Sequence, residues 1–312
     1  MTKNTLDSVR LVERGVCPLC DSCNQTAHIA FPGIPVVRCT FCGFIYSSLL
    51  MPGEELRRYY QLNFGSERHR FGQIINSKIN CWAIRRLLRG VNFANFLDVG
   101  AGYGYLLKEL QDHLHVTTTG VELSEQEAIY GAEQLNVDLR NCDLLDSGLQ
   151  CSSFDVVACF EVLEHIPNPK DFIDNLFRYL KPSGHLLIMT DNFESRVAKA
   201  LGPDFPKWIP HTHVSHFSSK TLERLLVDRG LMIEMRMSYT PWELWAKYIY
   251  NKFLGINKTP AQAFDLSSTL NAEMHGNYRL YSLRRVVNAL WAKLTVRNDL
   301  EGALMYVIAK RK

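Results

Sequence analysis

The sequence lacks the features that mark membrane-spanning and secreted proteins. It has no run of the ~18 continuous apolar residues that a membrane span requires, and its opening segment MTKNTLDSVRLVERG has no apolar stretch of the kind found in secretory signals. A formal net charge of +3 over 312 residues does not indicate nucleic acid or an anionic membrane as a partner. We therefore expect a cytoplasmic protein whose length allows about two domains.

The cytoplasm disfavours disulfides, so the nine cysteines need another role. Five of them lie before residue 43, and four of these form two C-x2-C pairs: Cys17 with Cys20, and Cys39 with Cys42. Four thiolates at this spacing are typical of a tetrahedral structural zinc site. Cys23 leaves an iron–sulfur ligand set as an alternative, although the C-x3-C-P feature of such sets is missing. We predict a zinc-ribbon-like segment over residues 1–50 that aids folding and takes no part in a reaction.

Residues 51–93 predict helices that are interrupted by a loop at NFGSERH. Leu56, Tyr59 and Tyr60 share one face of the first helix. The two tyrosines either pack the cysteine-rich head against the body of the protein or form a lid over a substrate. We assign this segment as a helical connector or lid.

From residue 94 to residue 239, strands and helices alternate. The strands are predicted at NFLDV, VTTTGVEL, FDVVACF and HLLIMT, and the helices between them begin at signals such as Ser124 and the pair Asn168–Pro169. Such alternation predicts an α/β fold in which a parallel sheet carries helices on both faces. Ligands of such folds bind beyond the carboxyl ends of the strands, so candidate site residues follow each strand directly.

Acidic residues and glycines occupy those positions. Asp98 and the alternate glycines Gly100 and Gly102 follow the first strand, and Tyr105 stands where a GxGxxG pattern would have its last glycine. Glu122 ends the second strand, where a carboxylate can accept both hydroxyls of a ribose. Asp143 follows in LRNCDLLD as an acceptor for an adenine amino group. A glycine loop alone is weak evidence, but a loop and two acids in register indicate a nucleoside-containing ligand.

These motifs resemble those of the class I S-adenosylmethionine-dependent methyltransferases. LDVGAGYGYLL is similar to the first motif of that family, Glu122 matches the acid that closes its second strand, and FDVVACFEVLEHIPNPKDFIDNLFRYLKPSGHLLIMT is similar to its fourth to sixth segments. The resemblance covers about residues 94–237, and GALMYVIAKRK matches the reversed hairpin strand that ends such domains. It implies a Rossmann-like seven-stranded sheet over residues 94–239 and a final core strand at 299–312.

The resemblance also implies the cofactor, S-adenosylmethionine, and the residues that hold it. The implied cofactor-binding residues are Asp98, Gly100, Gly102, Tyr103, Glu122, Asp143, Phe160 and Glu161. Among them, Glu122 would hold the ribose, Asp143 the adenine, and Phe160 or Glu161 would line the wall beneath the sulfonium. Since the sulfonium is already an activated electrophile, the protein has only to position a nucleophile and remove its proton.

Histidines are the candidates for that proton transfer. The segment PHTHVSHFSSKTLERLLVDRG resembles one in glycan-type and small-molecule methyltransferases, in which a histidine faces the substrate, and His213 aligns with it. Thr212 replaces the glutamate that precedes this histidine in the family. His216 and His165 are further candidates, because histidine titrates near neutral pH. Helix capping, core contacts or a base supplied by tyrosine are the alternatives.

A divalent metal is a second possibility at the same site. Glu161, Glu164 and His165 lie at i, i+3 and i+4 in CFEVLEHIPNP, so one helical turn could place them on one face. The segment resembles that of quinone-ring O-methyltransferases, in which these residue types hold a divalent ion that lowers the pKa of a phenol. Alternatively, the turn only closes the cofactor pocket.

Residues 240–298 form an insertion that the minimal fold does not need. Two amphipathic helices are predicted, in PWELWAKYIYNKFLG and LYSLRRVVNALWAKL, with GINKTPAQAFDLSSTLNAEMHGNYR as a loop between them. Their apolar faces suit the core, a dimer surface or weak association with a membrane surface.

By resemblance, the expected acceptor is a small molecule, and specifically a sugar or nucleotide sugar, because a zinc-binding head joined to this body resembles sugar C- and O-methyltransferases. Methylation of rRNA is an alternative, but an exocyclic-amine methylase would carry an Asn-Pro-Pro-aromatic motif where this chain has CFEVLEH. A non-catalytic binding protein is a third possibility, against which the intact Asp98, Glu122 and Asp143 argue.

Overall fold

Residues 11–31, 33–63, 67–254 and 281–312 are described by the computed structural model of the chain. The strands are β1 (Val12–Glu13), β2 (Gln25–Ile29), β3 (Val36–Cys39), β4 (Ile45–Ser47), β5 (Leu49–Leu50), β6 (Asn95–Val99), β7 (Thr117–Glu122), β8 (Asp138–Asn141), β9 (Phe154–Phe160), β10 (Leu180–Asp191), β11 (Ser215–His216), β12 (Leu231–Tyr239) and β13 (Leu304–Arg311). The helices are α1 (Gly53–Asn63), α2 (Glu67–Leu87), α3 (Tyr105–Leu114), α4 (Glu125–Gln134), α5 (Pro169–Tyr179), α6 (Arg196–Leu201), α7 (Ser219–Asp228), α8 (Trp242–Leu254) and α9 (Tyr281–Thr295). Within these ranges, we find no helix that combines the length and the apolar character needed to cross a bilayer.

Seven strands form the central sheet in the order β12-β13-β10-β9-β6-β7-β8. The strands from β10 to β8 are parallel to their neighbours, whereas β13 runs antiparallel to both β10 and β12. This confirms the predicted fold class, a Rossmann-like sheet whose last strand is reversed. The reversed strand enters between β10 and β12, so the carboxyl ends of β6, β7 and β9 stay together at one edge.

Local signals in the sequence explain where the site-bearing helices begin. Ser124 caps α4 by accepting a hydrogen bond from the Glu127 amide, and Ser218 and Thr221 form a reciprocal capping box at the start of α7. Asn168 precedes α5 as predicted, but its side chain makes no capping hydrogen bond, and Pro169 begins the helix. The two capped helices, α4 and α7, therefore begin at residues that the sequence marks as helix starts.

The two faces of the sheet bury separate apolar clusters, because successive side chains of a strand point to opposite faces. Leu97 of β6 packs in a cluster that includes Phe44 of the N-terminal segment. Phe96 packs in another cluster with Ile84 of α2. All four side chains are buried, and each contributes about 2 kcal/mol of hydrophobic stabilisation. The N-terminal segment and α2 therefore both cover the sheet.

The cysteine-rich segment shares a sheet with the body. Strands β2, β3 and β4 form a four-stranded sheet with β11, in the order β11-β4-β3-β2. Ser215 pairs with Tyr46 and His216 pairs with Ile45. The predicted boundary at residue 50 thus separates segments that pair with each other, although Ser215 and Tyr46 are 169 positions apart in sequence (215 − 46).

In the insertion, α8 and α9 lie against each other and against the end of β12. Glu243 accepts a hydrogen bond from Asn288, and the Trp291 indole donates to the Thr240 carbonyl at 3.0 Å. Phe253 and Leu294 project into solvent. The predicted loop GINKTPAQAFDLSSTLNAEMHGNYR lies outside the described residues.

Candidate active site

The glycine loop after β6 adopts a conformation that side chains would prevent. Gly100 and Gly102 both have positive φ, at 77° and 55°. A Cβ at Gly100 would lie 2.5 Å from a methyl carbon of Val162, and one at Gly102 would lie 2.1 Å from Nε2 of Gln73. The loop therefore needs glycine both for its backbone angles and for the close approach of neighbouring side chains.

Glu122 is held at the end of β7 by backbone groups. Its two carboxylate oxygens accept hydrogen bonds from the Gly102 and Ser124 amides, each at 2.9 Å. Burial raises the pKa of Glu122, and these amide donors oppose that effect. Because each carboxylate oxygen has more than one acceptor site, the fixed carboxylate can still receive ribose hydroxyls.

Asp98 is the buried acid beneath the loop. Its side chain is 3% exposed, and Oδ1 has no hydrogen-bond partner within the described part of the chain. Burial, with a smaller effect of the nearby Glu122, raises the pKa of Asp98 to about 8. A buried carboxyl oxygen without a partner is costly unless a ligand supplies a donor. The ammonium group of an amino-acid ligand would be such a donor.

Helix α2 contributes side chains that sequence reasoning missed. Gln73 accepts a hydrogen bond from the Tyr103 amide at 2.8 Å, and its amide nitrogen lies 2.8 Å from His69 Nε2. Asn76 donates to Glu161 at 3.3 Å. The positions 69, 73 and 76 follow the i, i+4, i+7 spacing of one helical face, which is the signal that could have identified them. The Tyr103 ring, by contrast, packs edge-to-face against Tyr130.

The remaining predicted cofactor residues lie at the same edge of the sheet. Asp143 is half-buried, and its Oδ1 accepts from the Leu145 amide at 3.1 Å, which leaves the other oxygen for a ligand. Phe160 ends β9 and packs near Tyr306. Glu161, which follows, has a φ of 54°, a strained value for a residue with a side chain. Such strain at a strand end is common at functional sites.

His213 and His165 face each other at this edge. Their ring centroids lie 4.6 Å apart with perpendicular planes. His213 Nδ1 lies 2.9 Å from the carbonyl oxygen of Lys207, which can only accept, so Nδ1 carries the proton and Nε2 has the lone pair. Burial, together with the nearby His165 and Lys207, lowers the pKa of His213 well below its usual value. The ring is therefore neutral at pH 7, with its lone pair on Nε2.

His165 is held by two neighbours through one nitrogen. Nδ1 lies 2.9 Å from the Tyr60 hydroxyl and 3.1 Å from the Thr212 carbonyl. Burial lowers the pKa of His165 to about 4. Tyr60 of α1 thus reaches the histidine pair, while Tyr59 packs with Leu56 in a small apolar cluster. The connector therefore contacts the segment that carries His165, and its role as a lid over a substrate stays a prediction.

His216, the other predicted candidate, lies in an aromatic part of the core. Its ring packs 4.6 Å from Phe193 and 4.8 Å from Trp208, measured between centroids. The residue is 1% exposed, and neither ring nitrogen has a hydrogen bond of good geometry to any described residue. This environment argues against proton transfer by His216, because a base must reach its substrate.

The segments that carry the two facing histidines are tied together. The Val214 amide donates to the Glu164 carbonyl at 2.9 Å, and the Ser215 hydroxyl donates to the Ile166 carbonyl at 2.8 Å. Arg14 of the N-terminal segment donates to the carbonyls of Pro167 and Val214. The position of each histidine therefore depends on the other segment and on Arg14.

Glu161, Glu164 and His165 do not come together as the metal trio that the sequence suggested. Their ligand atoms form no common group within 4.8 Å among the residues that the structure describes. Two other groups do meet that limit: Glu161, Glu164 and Asp191, and Glu164, His165 and His213. The turn after β9 is a short 3-10 segment and not an α-helical turn, which separates Glu161 from His165.

The group of Glu161, Glu164 and Asp191 already contains a positive charge, the ammonium of Lys207. Nζ of Lys207 lies 2.8 Å from Glu161 Oε1 and 3.4 Å from Asp191 Oδ2. Glu164 accepts from the Thr190 hydroxyl at 2.7 Å through one oxygen, while its other oxygen has no partner in the described ranges. The residues of the group therefore do not fit an additional resident divalent ion.

The four cysteines at the N-terminus fit zinc. The Sγ atoms of Cys17 and Cys42 lie 3.6 Å apart, as do those of Cys20 and Cys39, and all four lie within 4.8 Å of one another. Tetrahedral zinc with ~2.3 Å bonds to sulfur separates its ligands by about 3.8 Å. Cys23 is exposed and lies outside the group, so the iron–sulfur alternative gains no ligand from it.

Comparisons with known proteins identify the family of the chain. The family described as "Methyltransferase domain" matches residues 56–234, more than half of the chain. The chain is 34% identical over 116 residues to a ubiquinone biosynthesis O-methyltransferase of Coxiella burnetii, a match that covers 35% of this chain and 49% of that protein. It is 32% identical over 163 residues to a protein with the same name in Xylella fastidiosa, covering 48% and 66%. The chain thus spans about half to two thirds of the length of these relatives.

Solved structures share the fold. An S-adenosylmethionine-dependent methyltransferase of Thermotoga maritima, named as a possible histamine N-methyltransferase, aligns with a TM-score of 0.51 at 17% identity, covering 83% of this chain and 99% of the other. Phosphoethanolamine N-methyltransferase 2 of Haemonchus contortus, solved with S-adenosylmethionine, aligns with the same TM-score at 16% identity, covering 86% and 63%. At these identities the likeness concerns the fold alone.

Proposed function

The chain belongs to the methyltransferase domain family, and from that premise we propose that it transfers the methyl group of S-adenosylmethionine to a hydroxyl group of a small molecule. The cofactor assignment is supported by three features at one edge of the sheet: the glycine loop with positive φ, the backbone-held Glu122 and the Asp98 oxygen that has no partner among the described residues. Together they suit a ligand with a ribose and an ammonium group.

The observation that carries the reaction type is the orientation of His213. Its Nδ1 proton is directed to the Lys207 carbonyl, so its Nε2 lone pair is free to take a proton from an acceptor hydroxyl. His165 lies beside it and limits the rotation of the ring. The bound sulfonium supplies the electrophilic methyl group, and His213 removes the proton of the attacking oxygen.

We propose that the acceptor is a sugar or a nucleotide sugar. Lys207, whose carbonyl accepts from His213, lies among charged side chains, since its ammonium contacts Glu161 and Asp191, and such groups bind molecules with several hydroxyls. A zinc-binding segment next to this catalytic body also resembles the arrangement of sugar methyltransferases.

A phenolic acceptor is the second candidate. Relatives named ubiquinone biosynthesis O-methyltransferases favour it, and so does the group of Glu164, His165 and His213, whose ligand atoms could contact a catechol-bound cation. The presence of Lys207 in the adjoining acidic group speaks against that cation.

The test is a screen of nucleotide sugars and catechols with cofactor that carries a labelled methyl group. We expect label in a nucleotide sugar without any added divalent ion, and its loss in His213→Ala. Transfer only to catechols, and only with added Mg²⁺, would favour the phenolic acceptor. The absence of transfer to either class, with cofactor bound, would support the non-catalytic alternative.

A further inference from the structure

The least expected feature of the site is a lysine among three clustered acids. Glu164 and Asp191 are fully buried, Glu161 is half-buried, and one carboxylate oxygen of each lies within 4.8 Å of the others. Three acids in such a space repel each other and need a counter-charge. Lys207 supplies it from the loop that precedes His213.

We infer that the Lys207 ammonium takes the place of a divalent cation in this acidic group, so that methyl transfer by this chain needs no metal ion at the transfer site. The inference deepens the proposed function, but its test does not need an acceptor. Lysine carries a compact point charge on a flexible stem, and it can occupy a position between carboxylates in the way a small cation does.

Contacts of both the side chain and the backbone of Lys207 support this inference. Its ammonium lies 2.8 Å from Glu161 and 3.4 Å from Asp191, and its carbonyl oxygen accepts from His213 Nδ1 at 2.9 Å. The same residue therefore balances the acids and sets the tautomer of the proposed base. A metal ion bound to Glu164 from the histidine side would lie close to this ammonium and be repelled by it.

The experiment is a titration with Mn²⁺, followed by electron paramagnetic resonance, on the full chain and on Lys207→Met. Methionine keeps the length of the stem and removes the charge. We expect the wild-type chain to show no specific Mn²⁺ site. Lys207→Met should gain one site, with an affinity for Mn²⁺ at least about tenfold higher than that of the wild-type chain, because its carboxylate oxygens then lack a counter-charge. Adding Asp191→Asn to Lys207→Met should remove the new site.

Lys181→Met is the matched control. Lys181 is also half-buried and lies 2.7 Å from a carboxylate, but that carboxylate is the single Asp155. Removal of its charge should create no Mn²⁺ site, since one carboxylate is too few ligands. A gain of binding in both variants would show only that losing any cation attracts Mn²⁺, and would overturn the inference.

Two further results would also overturn it. One is a stoichiometric Mn²⁺ site in the wild-type chain that is lost in His213→Ala, since this would place a metal on the histidines. The other is a Lys207→Met protein that binds S-adenosylhomocysteine like the wild type but binds no Mn²⁺. If methionine prevents folding, Lys207→Gln takes its place in the same titration. Neither result decides whether the chain transfers a methyl group, because the titration measures metal binding alone.

Discussion

The protonation state of one residue, Asp98, links cofactor binding to pH. Its pKa is raised to about 8 in the free protein, so the carboxyl is mostly protonated at pH 7. A ligand ammonium favours the ionised carboxylate, and binding therefore releases a proton. We predict that the affinity for S-adenosylhomocysteine rises as the pH is increased from 6 to about 8, by up to ~tenfold per pH unit, and then levels off.

Calorimetry in buffers of different ionisation enthalpy measures both the affinity and the proton release. Asp98→Asn should bind more weakly at pH 8 and should lose the pH dependence, because it cannot ionise. A wild-type affinity that stays constant between pH 6 and 8 would contradict the placement of the ammonium at Asp98.

His213 and His216 lie in different environments, so the effects of substitutions at the two positions on turnover can be compared. His213 has an oriented ring at the site edge, whereas His216 is enclosed by Phe193 and Trp208. We predict that His213→Ala lowers kcat by about 10²-fold or more with little change in cofactor affinity, since general bases contribute on that scale. His216→Phe should retain turnover, because phenylalanine can pack in the same aromatic surroundings.

Steady-state kinetics with the identified acceptor would measure these effects. Equal losses in both variants would mean that the segment, and not the His213 base, is required. Full activity of His213→Ala would remove that residue from the mechanism.

Some site residues could be predicted from the sequence, and the reason is local. Asp98 and Glu122 each lie at the end of a strand whose residues are mostly buried. The carboxyl ends of neighbouring strands meet at one edge of a parallel sheet. Gln73 and Lys207 could not be predicted in this way, because neither residue directly follows a strand. The spacing of positions 69, 73 and 76 indicates a shared helical face, but the loop that this face contacts is set by tertiary packing.

At the scale of elements, α2 closes the glycine loop, and Gly102 is where the two meet. Gly102→Ala would place a methyl group 2.1 Å from Gln73 and would strain a φ of 55°. We predict that this variant loses about tenfold or more in cofactor affinity, because either Gln73 or the loop must move. It should also lose about 1–2 kcal/mol of unfolding free energy from the left-handed backbone conformation alone.

Gly148→Ala is the control for strain. Gly148 has a φ of 65°, and a Cβ there would have no neighbour within 4 Å. Its unfolding free energy should fall by a similar strain cost, as measured by denaturant titration, while cofactor affinity stays unchanged. If Gly102→Ala and Gly148→Ala had the same affinity as the wild type, contact of α2 with the loop would have no role in cofactor binding.

The order of the main elements was predictable, but the pairing of β11 with the N-terminal strand β4 was not. The strands from β6 to β10 and the reversed β13 follow from hydrophobic runs and turn signals. Strand β11 is two residues long, Ser215–His216, and two residues are too few to show an alternating apolar–polar pattern in the sequence. It pairs with β4, whose residues are distant in sequence, so no local pattern of the sequence indicates this pairing.

At the scale of the whole molecule, the N-terminal segment holds the candidate active site as well as the zinc site. Arg14 donates to the Pro167 and Val214 carbonyls, on the segments that carry His165 and His213, and it is 8% exposed. Ser47 donates through its amide to Val214 at 3.1 Å. We therefore expect the cysteine-rich segment to influence the chemistry through the positions of these two segments.

Arg14→Met should accordingly lower kcat by about tenfold or more while cofactor affinity stays near that of the wild type. The Pro167 carbonyl loses its Arg14 donor, the Val214 carbonyl keeps only that of Ser47, and the histidine segments can then separate. Arg38→Met is the control: Arg38 also joins the N-terminal segment to the body, at 2.8 Å from Glu194, but contacts neither histidine segment. It should keep its kcat. Equal kcat losses in the two variants, measured at equal folded fraction, would mean that the N-terminal segment contributes stability only.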